Sequence, residues 1–185
     1  MHALTYAAMY PHDVAGVVLL DSASPHQVEL VTTFTGEYQL ARRALAVAPT
    51  LFRFGIGSIT RAMSAPPLPG AAGEQASAFA KSPRGMRNTR AEQTALPDAF
   101  RQAQALTTLG DTPLVVLTAK DNVDHRPGWG TAQDELAALS TNTRHTVADL
   151  DHMAFLEDPA GFAQSIQAIT DVVASARNHI SLRTP

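Results

Sequence analysis

Seven histidines, a scatter of carboxylates and serines, and no cysteine define the chemistry open to this 185-residue chain. Without thiols, disulfides and thiolate metal sites are excluded, and no pair of histidines has metal-ligand spacing with an acidic partner. One histidine stands out by its place. His152, in Leu150-Asp151-His152-Met153, directly follows a predicted strand and precedes the last predicted helix. Imidazole at such a strand end is suited to accepting and returning a proton near neutral pH. His2, His12, His26, His145 and His179 read as helix, turn or surface residues. Carboxylates occupy two other strand ends: Asp121 and Asp124 in Lys120-Asp121-Asn122-Val123-Asp124, and Asp21 before Ser22. Each could equally cap a turn. Ser22 and Ser24 also sit at a strand end, where ligands bind in open α/β sheets, but no glycine pair surrounds them. Ser58 has glycines on one side only, in Gly55-Ile56-Gly57-Ser58-Ile59. All three serines read as turn or surface residues.

The elements that must position these groups follow from the hydrophobic pattern. Val14 to Asp21 (Val-Ala-Gly-Val-Val-Leu-Leu-Asp) and Thr112 to Ala119 (Thr-Pro-Leu-Val-Val-Leu-Thr-Ala) are continuous apolar runs rich in β-branched residues. Such runs suit strands covered on both faces of a parallel sheet. Arg144 to Leu150 is a third strand, more polar, as an edge allows. Helices are predicted over Met1 to Tyr10, Trp129 to Leu139 and Phe162 to Ala176. The last of these places Phe162, Ile166, Ile169, Val172 and Val173 on one face, with Asp158-Pro159 at its start. Trp129 is expected to pack beneath the loop after the second strand. The order β-α-β-α-β-α predicts an α/β fold with three parallel strands and flanking helices. Residues 26–110 break the rhythm with helical pieces at roughly Glu37 to Ala48, Leu51 to Met63, Gln75 to Lys81 and Asn88 to Thr108. A link, Ala65-Pro66-Pro67-Leu68-Pro69-Gly70, divides them. An insertion of this length between strands reads as a cap or lid.

Composition narrows the function classes. Hydrophobic residues make up 45% and charged residues 17% of the chain, and the net charge is −3, which fits a folded domain. The arginines around Arg84, Arg87, Arg90 and Arg101 alternate with other residues as on a solvated helix face, so no nucleic-acid footprint is expected. No apolar run approaches the ~20 residues that span a bilayer, and Met1-His2-Ala3-Leu4 does not begin a signal peptide. Cytoplasmic residence is the default expectation. The helix at Met1 to Tyr10 has no capping residue before it and reads as a helix already under way.

In order and spacing, the segments Tyr6 to Pro25 and Pro113 to Pro159, with the helical insertion between them, resemble the α/β-hydrolase superfamily from the helix after its nucleophile elbow onward. The resemblance covers essentially the whole chain. It implies residues 1–25 and 111–185 as the C-terminal part of the hydrolase core, with 26–110 as the cap. It also implies a Gly-x-Ser-x-Gly elbow ahead of Met1; the chain contains none. His152 would be the general base, and the acid that orients it would follow the Pro113 to Ala119 strand. Asp121 is the first choice and Asp124 the second. Asp21 is the third, because some family members recruit the acid there. The sequence departs from the family's Gly-x-x-Asp by having Ala119 and Asn122 at the two defined positions. The implied activity is serine hydrolysis of an ester or related bond in a small-molecule substrate, without a cofactor, and with the isolated chain inactive. The alternative is a non-catalytic binding or interaction module. In either case the first strand would expose an apolar edge through which the chain is expected to self-associate.

Overall fold

Three parallel strands form the sheet: β1 (Val17–Leu20), β2 (Leu114–Ala119) and β3 (Thr143–Ala148). Their order is β1-β2-β3, with Val17 opposite Leu114 and Leu114 opposite Thr143. Every residue of β2 is buried, whereas β3 at the edge leaves Thr146 and Val147 exposed. The computed structural model describes residues 1–55 and 70–182. These divide into two compact units, one from Met1–Phe34 and Asp98 onward, the other Thr35–Pro97.

The first unit sandwiches the sheet. Because side chains alternate across a strand, Val17, Leu19, Leu114 and Val116 face one side. There they pack with Leu4 and Ala7 of α1 (His2–Met9) and with Leu136 and Ala137 further along the chain. Val115 and Leu117 face the other side and pack with Phe155, Ala168 and Val172. After β1 come α2 (Gln27–Leu30) and α3 (Phe34–Arg53). Two helices, α4 (Gly70–Ala80) and α5 (Pro83–Ala103), then lead back to the sheet. Following β2 are α6 (Lys120–His125) and α7 (Trp129–Ala137), and following β3 are α8 (Ala154–Glu157) and α9 (Pro159–Asn178).

The last helix starts where the sequence places it. Asp158 caps α9, its side chain accepting the N–H groups of Ala160 and Gly161, with Pro159 in the first turn. Its orientation differs from a reading in which the bulkiest stripe is the buried one. Gly161, Ser165, Ala168, Val172 and Ser175 are buried, the first two against α8 and Ala168 and Val172 against the sheet, while Phe162, Ile166, Ile169 and Val173 are exposed. Small residues win the inner face because the helix approaches closely. A Cβ on Gly161 would fall 2.2 Å from the Ala154 carbonyl oxygen, and one on Gly16 would fall 2.3 Å from Val172 Cγ1.

The direction of the exposed stripe is fixed by its opposite flank. Asp171 pairs with Arg144 on β3, so residues one step the other way round the helix lean beyond β1. Val17 and Asp21 donate their N–H groups toward β2, to the carbonyls of Pro113 and Leu117. By alternation Val18 and Leu20 present theirs to the other side, where no strand lies among the described residues.

The second unit is helical. Tyr38 donates its hydroxyl to the Gln93 carbonyl at 3.2 Å, and Ser82 caps α5 by accepting the Gly85 N–H at 2.9 Å. Helix α3 runs through the expected break after Ala48. Most of the helix predicted over Leu51 to Met63, Ser58 and residues 65–69 of the link lie outside the described residues. The compact unit is also narrower than the predicted 26–110 insertion. Val31 belongs to a cluster with Trp129 and Ala132, and Ala103 and Leu106 belong to the sheet core, so both flanks go with the first unit.

Candidate active site

The C-terminal ends of β1, β2 and β3 bring Asp21, Asn122, Trp129 and His152 together. Asp21 ends β1 in the left-handed backbone region, at φ 44°. This conformation costs a non-glycine residue about 1–2 kcal/mol, and Asp tolerates it better than most. It leaves the carboxylate fully buried and surrounded by donors. Oδ1 accepts the Ala119 N–H at 3.0 Å and the Trp129 indole N–H at 2.7 Å. Oδ2 accepts the Asn122 side-chain amide and lies 2.8 Å from Nδ1 of His152.

Burial opposes ionisation of Asp21. The hydrogen bonds from His152, Ala119, Trp129 and Asn122 outweigh it, and the carboxyl lies below its ordinary range. An ionised carboxylate only accepts, so Nδ1 of His152 carries the proton. The bond to Asp21 raises the His152 pKa above the ordinary histidine value, helped by the charges of Asp21 and Asp151 and opposed by desolvation and by Arg126. The His152 side chain is 55% exposed, and among the described residues no protein group bonds its Nε2. The arrangement can therefore take a proton at Nε2 and stabilise the resulting imidazolium through Asp21.

The acids favoured on sequence grounds lie elsewhere. Asp121 pairs with His125 at 3.0 Å and Asp124 pairs with Lys120, all on the exposed side of α6. Neither is bonded to His152, whose partner is the third choice, Asp21. The reason is helical phase: positions 121 and 124 share a face, so once the chain coils directly after Ala119 it is Asn122 that turns inward. Trp129 is buried as expected and supplies in addition a donor, a role its residue type permits but its position in sequence does not reveal.

Of the two described candidate serines, Ser24 is tied through its side chain and Ser22 through its backbone. Ser24 Oγ accepts the His26 N–H at 3.2 Å, and the Ser22 carbonyl accepts Gln133 Nε2 at 2.7 Å. His145 bridges Thr118 and Asp134. No group of three or more metal-ligating side chains is found among the described residues, and none of their helices is long and apolar enough to cross a membrane. No family model, curated protein or solved structure matches the chain.

Proposed function

We propose that the chain carries the base and acid of an α/β-hydrolase-type site, acting in hydrolysis of an ester or related bond in a small-molecule substrate. One observation carries this reading: a half-exposed histidine held through Nδ1 by a fully buried carboxylate, at the C-terminal ends of parallel strands. His152 takes the proton of a serine and returns it to the leaving group; Asp21 orients the ring and stabilises its charged form. The serine comes from outside these 185 residues, since they contain no Gly-x-Ser-x-Gly. The helical unit Thr35–Pro97 is the candidate cap. The test is turnover of p-nitrophenyl acetate. The 185-residue chain is expected to match buffer. Together with the polypeptide that supplies the serine it is expected to turn over, with loss of activity in His152→Ala and a drop of about 10⁴-fold in Asp21→Asn. Turnover by the 185 residues alone, abolished by His152→Ala, would overturn the external nucleophile.

A second reading, a non-catalytic interaction module, draws on the open side of β1 and the uncharged stripe Phe162, Ile166, Ile169 and Val173 that leans beyond it. Its occupant would be a second copy, paired edge to edge so that two such stripes meet. The chain is then expected to sediment as a concentration-dependent dimer or larger species. Ile169→Glu, at an exposed site, should shift it toward monomer. A wild-type monomer at all concentrations would remove this reading.

A further inference from the structure

Asp21 receives more donors than the pairing with His152 needs, and their arrangement has a consequence for the histidine. A carboxylate offers about four lone-pair sites. Here Oδ1 takes the Ala119 N–H and the Trp129 indole, and Oδ2 takes the Asn122 amide and His152. The carboxylate is filled on both oxygens and has no other orientation in which all four bonds survive.

Two of the donors come from side chains anchored away from the loop of His152. The Trp129 ring is packed with Val31 and Ala132, and the Arg126 guanidinium lies over it, 4.6 Å from the ring centre. Asn122 is set by the first turn of α6, which follows β2 without a linker.

We propose that Trp129 and Asn122 are positioning residues: they lock the Asp21 carboxylate so that Oδ2 faces Nδ1 of His152 and thereby fix which ring nitrogen carries the proton. This rests on the reading of His152 as a proton acceptor, which requires the Nδ1–H form so that the Nε2 lone pair is free. Free imidazole side chains in water favour the opposite tautomer. The protein must therefore impose the Nδ1–H form, and a carboxylate free to swing would impose it only part of the time. The charged groups around the ring are Asp21, Asp151 and Arg126. Of these only Asp21 hydrogen-bonds to it, so the tautomer is set at that contact.

The test is nitrogen-15 NMR of the His152 ring in the 185-residue chain at about pH 9, above the ordinary histidine titration range. Wild type is expected to show chiefly the Nδ1–H tautomer. Trp129→Phe keeps the aromatic packing and removes only the donor; Asn122→Ala removes the other. Each should lower the Nδ1–H fraction, and the double variant should approach the level of Asp21→Ala. Backbone amide spectra confirm that each variant is folded. If Trp129→Phe does not fold, Asn122→Ala, at a half-buried position, decides alone. Wild-type tautomer ratios in both single variants and the double, with loss only in Asp21→Ala, would overturn the positioning role. A ratio unchanged even in Asp21→Ala would instead overturn the His152–Asp21 pairing on which it rests.

Discussion

Replacing Asp21 with Asn is expected to return the His152 pKa to the ordinary histidine range or below it. The substitution removes the bond and the charge that raise it and leaves desolvation and Arg126, opposed only by Asp151. Asn is the informative substitution because it tolerates the left-handed backbone at φ 44° nearly as well as Asp does. A proton NMR titration of the His152 ring reads the change directly, and an unshifted midpoint would mean that Asp21 does not govern the ring.

The same pair makes stability depend on pH with a defined sign. Asp21 titrates below its ordinary 3.8 when folded, so its contribution is present above 3.8 and lost as pH falls through the folded value. His152 titrates above 6.5 when folded, so its contribution is complete below 6.5 and lost as pH rises through the folded value. The pair thus contributes most between 3.8 and 6.5. Thermal melts of wild type across that range should fall off on both sides, and Asp21→Asn should flatten both limbs. Asp21→Ala should cost more. It strands the buried Ala119 and Trp129 donors at about 1–3 kcal/mol each, together about 2–6 kcal/mol.

Gly128→Ala is the second large expected effect, and it acts through backbone. Gly128 stands at the start of α7 with φ 91°, and an added Cβ would lie 1.8 Å from the Leu30 carbonyl oxygen and 2.7 Å from its carbon. Both obstacles are main chain of α2, which cannot turn aside as a side chain would. Strain of the left-handed backbone adds about 1–2 kcal/mol to an overpacking cost of about 1–3 kcal/mol. A loss of about 3 kcal/mol corresponds to a Tm lower by roughly 6–12 °C for a chain of this size. Gly110→Ala separates the two contributions. Gly110 has φ 62° with nothing within 4 Å of the added carbon, so only the strain should appear. Equal losses at the two positions would show that the approach of α2 to α7 is not rigid.

Much of the sheet could be read from residue order. Val17 to Leu20 and Leu114 to Ala119 are continuous apolar runs, and a central parallel strand demands that pattern. The cap at Asp158 was legible for the same local reason, and His152 was legible by its place after β3. The acid was not. Choosing among Asp21, Asp121 and Asp124 depends on the phase at which the chain coils after Ala119. It also depends on an α-left turn at Asp21, which no neighbouring residue announces. The inner face of α9 was hidden differently. Close approach to α8 selects Gly161 and Ser165 for their size, so the most hydrophobic stripe is a misleading guide to the buried one.

The long excursion between β1 and β2 also bears on the order in which the site assembles. Thr118 meets His145 across 27 residues, whereas Asp21 meets Ala119 across 98. For flexible chain the longer closure costs about 1 kcal/mol more in entropy. Contacts between β2 and β3, which bring the loop of His152 into register, are therefore the cheaper ones to nucleate, and β1 docks onto a platform already formed. If residues 35–97 collapse on their own, they shorten the tether and reduce that handicap. The carboxylate is thus the last member of the pair to arrive, and slow steps in refolding should register at Asp21 rather than at the histidine's own strand.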